Sequence, residues 1–344
     1  MTDEWVVHGG AVSSAMARFP EAPAPWVDLS TGINPYPWPV DQVPVFDWTR
    51  LPDPQQLAEL EATAAQYFGV DAHHVCATPG SELCLRLLAN AGLPAPFTCL
   101  WPAYRTHAEG LPDCYLASPE ELAERAGAPG TLLLANPNNP DGRLLTADQL
   151  LKIAAAKRDA KGWLVVDEAF IDAHPEASIA SKVWEDGRAQ GELPVVVLRS
   201  FGKFFGLPGL RLGFLIGPRD IVVQMKALLG SWPVNAAAVE IGRRALADAA
   251  WQAQARDRLA QEADNLKAVL RDHGLEPQGN SPLFQLLEVE EERGGAIRLF
   301  EHLARHGILT RPFSYNPRWL RLGLPASVAD YARLEAALTA WRKA

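Results

Sequence analysis

Ser200-Phe201-Gly202-Lys203-Phe204-Phe205-Gly206-Leu207-Pro208-Gly209-Leu210-Arg211-Leu212-Gly213 lies just beyond the apolar run Pro194-Val195-Val196-Val197-Leu198. The run reads as a buried strand and the glycines and proline as the turn that leaves it, so Lys203 stands at a strand end. A lysine amine placed there, partly desolvated and with Arg211 close behind, gives up its proton more readily than a surface lysine and can condense with an aldehyde. Ser200 and Arg211 on either side suit a phosphate. On its own the segment also suits an ordinary strand-to-helix loop with an exposed lysine.

Two earlier segments share that placement. Asp167-Glu168-Ala169-Phe170 follows the run Trp163-Leu164-Val165-Val166 at its carboxyl end, where open α/β sheets hold their ligands and where a carboxylate wants a cation or caps a turn. Asn136-Pro137-Asn138-Asn139-Pro140-Asp141-Gly142 follows Thr131-Leu132-Leu133-Leu134-Ala135; taken alone it is a turn. A third segment, Thr78-Pro79-Gly80-Ser81-Glu82, opens an apolar-periodic helix containing Leu83, Leu87 and Leu88. The outward-pointing amides of Ser81 and Glu82 after Gly80 make an anion site or an ordinary capped helix. Tyr104 follows the run Phe97 to Trp101.

The order Asn139, Asp167, Lys203, Arg211, each after an apolar run, resembles the class I/II pyridoxal-phosphate-dependent aminotransferase family. That resemblance implies pyridoxal 5'-phosphate as cofactor. Lys203 would be its Schiff-base lysine and the catalytic residue, Asp167 the partner of its ring nitrogen and Asn139 the donor to its ring hydroxyl. Tyr104 would stack on the ring, with Phe170 beside it. Gly80, Ser81, Glu82, Ser200 and Arg211 would form the phosphate cup. Asp141 departs mildly from the family's threonine in the asparagine turn.

Length and composition agree with a large enzyme of this class. The chain has 344 residues, enough for one large and one smaller domain, and 48% hydrophobic residues build the core. A formal charge of −9 and a pI near 5.4 argue against nucleic acid as a partner. Cys76, Cys84, Cys99 and Cys114 show no metal-ligand spacing and read as small core residues of a reducing compartment, with no metal expected. No secretory signal or membrane-spanning run is read, so a cytoplasmic location is expected.

Residues 1–45 carry seven prolines between Pro20 and Pro44 and read as an extended arm without regular helix or central strand. Asp53-Pro54 then caps a helix with Leu57, Leu60, Ala64 and Phe68 on one face, ended by Gly69. Strands are expected near 74–77, 97–101, 113–116, 131–135, 163–167, 195–199 and 212–216, mostly without alternation, as in a largely parallel seven-stranded sheet covered by helices. Thr146 with Gln149 is a capping box. Beyond Pro233 one long helical stretch runs to Gly274, followed by strands near 283–289, 308–310 and 318–322 and a last helix from Ser327. The expected organisation is an arm (1–45), a large domain (46–233) and a small α+β domain (234–344). With the lysine segment this resembles pyridoxal-phosphate fold type I, which implies a homodimer.

His8-Gly9-Gly10 and Trp26-Val27-Asp28-Leu29-Ser30-Thr31-Gly32-Ile33-Asn34-Pro35 resemble the branch of the family that decarboxylates threonine phosphate to aminopropanol phosphate in cobalamin biosynthesis. Leu51-Pro52-Asp53-Pro54 and Leu320-Arg321-Leu322-Gly323-Leu324-Pro325 fit the same branch. The resemblance implies that His8 meets substrate phosphate, that Gly32, Ile33, Asn34 and Asn139 line the substrate, and that Arg321 binds its carboxylate. Arg311 is a second candidate for the phosphate. Phe170 replaces a tyrosine that many aminotransferases of the family use on the ring hydroxyl, and Leu51 replaces a tyrosine of the branch that transaminates histidinol phosphate, the competing enzyme. Ala11 and His107 replace an asparagine and an aromatic expected of the decarboxylases, which points to a rearranged substrate pocket and leaves serine phosphate open as substrate. A non-catalytic regulator of the same fold is the alternative of another class. A dinucleotide-dependent dehydrogenase lacks its glycine signature here.

Overall fold

Strand β1 (Val27–Asp28) belongs to a small pairing taken up below. The seven apolar runs expected as strands are β2 (Val75–Thr78), β3 (Phe97–Leu100), β4 (Tyr115–Ala117), β5 (Thr131–Ala135), β6 (Trp163–Asp167), β7 (Val195–Ser200) and β8 (Gly213–Ile216) in the computed structural model, which describes residues 9–43, 48–184, 193–290 and 294–343. They form one sheet in the order β2-β8-β7-β6-β5-β3-β4. Neighbours from β7 across to β4 are parallel, whereas β8 is antiparallel to both β2 and β7. Val195 to Leu198 have no exposed surface, and Leu132, Leu133 and Leu164 to Val166 are equally enclosed. Burial on both faces is why these runs lack a period of two.

The register fixes where the chain leaves the sheet. Ala135 pairs with Asp167 and Asp167 with Leu198, so the segments after β5, β6 and β7 emerge side by side. Because β8 runs the other way, its first residue, Gly213, pairs with both Thr78 at the end of β2 and Ser200 at the end of β7. A Cβ on Gly213 would lie 2.6 Å from the Ser81 nitrogen and 2.9 Å from the Arg199 carbonyl oxygen, so only glycine lets the three backbones meet there.

Local signals are realised as read. Asp53 accepts from the Gln55 amide at 2.8 Å with Pro54 at the first helical position, and Gly69 closes the helix Pro54–Phe68 at φ +70°. Thr146 and Gln149 complete their reciprocal cap. Behind β6 and β7 lies a buried ionic group. Arg199 reaches Asp172 and, at 3.3 Å, Glu168, and its guanidinium stands 4.6 Å over the Phe68 ring. Glu168 also accepts from Ser178 Oγ at 2.7 Å and the Ile179 amide at 2.9 Å. Burial raises the pKa of Glu168 against the pull of Arg199. Burial would lower that of Arg199, but Asp172 and Glu168 together raise it, so the arginine stays cationic.

The chain divides into two compact units. One comprises Pro37–Asn139 and Arg143–Ala253 and contains the large sheet; the other gathers the chain up to Tyr36, Pro140–Gly142 and Gln254–Ala344. The division after Ala253 lies later than the boundary expected at 233. The helix Ala236–Ala247 packs on the helix Pro54–Phe68, where Gly242 leaves room for Leu60 and Leu212, and so stays with the large sheet. The single helical stretch expected up to Gly274 is two helices, Ala236–Ala247 and Ala249–Asp272. Asp248 leaves helical geometry between them (φ −87°, ψ 73°), and its carboxylate accepts from the Trp251 amide at 3.0 Å.

In the second unit, β9 (Pro277–Gln278), β10 (Phe284–Glu288), β12 (Arg311–Phe313) and β13 (Asn316–Gly323) form an antiparallel sheet in the order β12-β13-β10-β9. The helix Gly295–Arg305 packs on it, and the helix Val328–Lys343, begun by Ser327 accepting from the Asp330 amide, packs on that helix. The arm is more regular than its prolines imply. Val12–Arg18 is a helix, possible because it ends before Pro20, and β1 adds in parallel to β11 (Ile308–Leu309).

Arg199→Met should destabilise the protein by about 3 to 5 kcal/mol, because it leaves two buried acids without their cation. Chemical denaturation of the two proteins, read as a shift in midpoint at constant slope, measures it.

Candidate active site

Gly80, Ser81, Glu82, Tyr104, Asn139, Asp167, Phe170, Ser200, Lys203 and Arg211 all line one cleft with about 780 Å³ of empty space. The sheet explains the convergence. Asn139, Asp167 and Lys203 come from the adjacent ends of β5, β6 and β7; Gly80 to Glu82 come from the end of β2. Arg211 precedes the start of β8 by two residues.

Each position is held by its neighbours. In the asparagine turn, Asn136 exchanges two hydrogen bonds with the Leu145 backbone (2.7 and 3.0 Å), and Asn138 donates to the Pro102 carbonyl at 2.9 Å. Those two residues pin the turn while Asn139 lines the cleft. Arg211 adopts left-handed backbone geometry (φ +55°), and its Nη1 donates to the Pro208 carbonyl at 3.3 Å. A Cβ on Gly80, itself at φ +93°, would lie 2.8 Å from Arg211 Nη2, so the glycine brings a backbone segment rich in N–H groups against a guanidinium. Lys203 Nζ stands 5.7 Å from the centre of the Phe170 ring.

The Glu82 side chain is engaged away from the anion cup. It accepts from Tyr104 at 2.8 Å and Thr106 at 3.0 Å and pairs with Arg86 at 3.0 Å, so Glu82 has its backbone amide to offer a phosphate. Burial, then the Glu82 carboxylate, pushes the Tyr104 phenol up to about 12, which keeps it a donor and fixes the ring against the cleft.

Asp167 is 5% exposed and serves two readings at once: Oδ1 accepts from the Ala169 amide at 3.1 Å, ordering the turn, while the group lines the cleft. Its other oxygen meets a residue that sequence reasoning assigned elsewhere. His107, read as a change in the substrate pocket, is wholly buried, and its Nε2 lies 2.8 Å from Asp167 Oδ2. An ionised carboxylate is acceptor only, so with Asp167 ionised Nε2 carries the proton. A histidine in place of an aromatic is visible in the sequence, but its partner sixty residues away leaves no local signal.

Of the substrate candidates, Asn139 lines this cleft, whereas Gly32, Ile33, Asn34, Arg311 and Arg321 fall in the other unit. Arg311 and Arg321 are directly paired across β12 and β13. Arg321 is 6% exposed, donates to the Ser30 carbonyl at 2.8 Å and stands 4.9 Å over the Phe284 ring. Burial, and after it the like charge of Arg311, presses its guanidinium down to about 9, which marks a place where an anion is wanted. Gly32 and Asn34, which follow Ser30 in the chain, are buried, with Ile33 half-buried; the Asn34 side-chain Oδ1 accepts from the Tyr36 amide at 2.9 Å. His8 lies outside the described residues. Ala11 immediately precedes the helix Val12–Arg18.

The profile of the class I and II aminotransferases matches residues 115–339, and the chain belongs to that family. Among individual proteins it is 40% identical over 342 residues to the threonine-phosphate decarboxylase of Pseudomonas aeruginosa, covering 98% of each chain. It is 38% identical to the threonine-phosphate decarboxylase of a Sinorhizobium species, covering 97% of each. The fold is that of histidinol-phosphate aminotransferase from Sinorhizobium meliloti, solved in complex with pyridoxal-5'-phosphate. The TM-score is 0.82 at 20% identity, over 96% of this chain and 94% of that one.

Pyridoxal phosphate fits the residues present. A buried carboxylate, Asp167, which could pair with a cationic ring nitrogen, and an amine, Lys203, line the same cleft, and Gly80, Ser200 and Arg211 frame a cradle that a side chain at Gly80 would fill. His107→Phe should weaken retention of the cofactor about tenfold or more, the effect of losing a hydrogen bond to a charged group. It should also shift the pH titration of the cofactor's visible absorption, and His107→Gln, which keeps a donor, should restore much of both. Equilibrium dialysis and absorption spectra across pH test this; unchanged spectra in the phenylalanine variant would leave His107 a packing residue.

Proposed function

We propose that this protein decarboxylates L-threonine O-3-phosphate to (R)-1-amino-2-propanol O-2-phosphate and carbon dioxide, using pyridoxal phosphate, as a step of cobalamin biosynthesis. The observation that carries it is the meeting of Lys203, Asp167 and Asn139 at three adjacent strand ends, in a chain similar over nearly its full length to two threonine-phosphate decarboxylases.

Bound pyridoxal phosphate supplies an aldehyde that takes up an amine and a cationic ring that draws electrons from the carbon attached to that amine. Lys203 would provide the amine that secures the cofactor and would serve as the general acid that delivers a proton to the substrate Cα. Asp167, oriented by His107, keeps the proton on the ring nitrogen. Asn139 donates to the ring hydroxyl, and the phosphate rests on the amides of Ser81 and Glu82 with Ser200 and Arg211.

Reaction choice lies with the substrate anchors. A decarboxylase would hold the substrate carboxylate in the position where an aminotransferase holds the Cα hydrogen, so the residues that anchor the carboxylate would decide which reaction follows. Arg321 is assigned the carboxylate, and Arg311 with His8 the substrate phosphate; Gly32 to Asn34 line the substrate. Carbon dioxide leaves and a proton takes its place, so no oxo-acid is consumed. Phe170, which offers no hydroxyl to the ring, accords with this reading better than with transamination. The proposal includes a homodimer in the cytoplasm. Among the described residues no helix is long and apolar enough to cross a membrane.

Purified protein given pyridoxal phosphate and threonine phosphate should release carbon dioxide and amine without 2-oxoglutarate; serine phosphate in a parallel reaction ranks the two substrates. No carbon dioxide, but glutamate formed from histidinol phosphate and 2-oxoglutarate, would make the protein an aminotransferase. Lys203→Ala should purify without the visible band of lysine-bound cofactor, and a normal band would overturn the cofactor assignment. Arg321→Gln should raise KM for threonine phosphate by about tenfold or more, about 1.4 kcal/mol.

A further inference from the structure

β3 and β4 pair in parallel with Cys99 opposite Leu116, so Cys114, two residues before Leu116, projects on the same face of the sheet as Cys99. The two sulfurs are 2.6 Å apart, inside ordinary non-bonded contact. We propose that Cys99 and Cys114 are a reversible disulfide site, formed from the two thiols by exchange with a small-molecule disulfide of the glutathione class.

The two cysteines differ in the way such a reaction needs. Cys99 has no exposed surface, whereas Cys114 is partly exposed next to β4, the edge strand of the sheet, so an oxidant meets Cys114 first. The two thiols share a hydrogen bond in which either sulfur can donate, and the Cys99 thiol also lies 3.2 Å from the His107 carbonyl as a donor. The bond between the sulfurs lowers the Cys114 pKa, and the same bond together with burial raises that of Cys99. Cys114 is therefore the attacking thiolate and Cys99 the resolving thiol. The Cys114 sulfur attacks one sulfur of the oxidant and expels the other half as a thiolate. Cys99 then gives its proton to solvent and attacks the Cys114 sulfur, releasing the second half. Two protein thiols are oxidised and one small disulfide is reduced to two thiols. Cys76 and Cys84 are both buried, and burial pushes their thiols up, Cys84 to about 12. They serve as internal controls.

The full-length protein is equilibrated in glutathione buffers from fully reduced to fully oxidised, then denatured and alkylated with N-ethylmaleimide and digested. Arg105 lies between the two cysteines, so trypsin places them on separate peptides. In oxidised buffer those peptides should appear joined and lighter by two hydrogens, with their alkylated forms down by about tenfold or more relative to reduced buffer. Cys76 and Cys84 should stay alkylated, and fresh reductant should reverse the link. Cys114→Ser should leave Cys99 alkylated in every buffer. Cys99 and Cys114 alkylated in step with Cys76 and Cys84 throughout, or glutathione held on Cys114 without a joined peptide, would overturn the proposal.

Discussion

The cleft depends on one reversal of chain direction. Six strands of the large sheet point the same way, and β8, wedged between β2 and β7, points against them. Were β8 parallel, Arg211 would leave from the far edge of the sheet. As built, Gly213 pairs with Thr78 and Ser200 together, so the guanidinium, the Ser200 backbone and the start of the helix Ser81–Leu87 meet at one corner. The closeness requires glycine at 80 and 213, where any side chain would strike Arg211 or the Ser81 backbone.

Around that corner charge is balanced by depth. Arg199 and Ser200 are successive residues facing different surroundings: the arginine goes inward to Glu168 and Asp172, the serine to the cleft. Asp167 and Glu168 alternate likewise, one lining the cleft with His107 at its back, the other buried on the arginine. The same pleat thus builds a rigid ionic floor and a reactive surface from neighbouring positions, and the floor limits how far Asp167 can drift.

Strand positions and most caps were legible because buried parallel strands are continuous apolar runs and because Asp53, Thr146 and Ser327 carry their capping function in the residue type itself. That the residues proposed for the cofactor share one cleft was legible because most of them follow such a run. What escaped notice was non-local. His107 acquires its partner only when the chain after β3 returns beneath β6, and the register that sets Arg311 opposite Arg321 has no trace in local spacing. The proline count hid the helix Val12–Arg18, since composition averages over a segment whose prolines all come later. The break at Asp248 was missed because an aspartate inside an alanine-rich stretch looks like a helical surface residue until its carboxylate turns back on Trp251.

The residues that line the cleft all fall between Gly80 and Leu212, whereas most substrate candidates come from the two ends of the chain, with β1 pairing to β11. This separation sets an order in time. During synthesis β8 is complete at Ile216, but β1 finds its partner strand only after Ile308 has been made. The nascent protein therefore completes the strands that build the cleft before the strand that ties the two ends of the chain exists, so the cleft's lining is encoded well ahead of most residues proposed to hold a substrate.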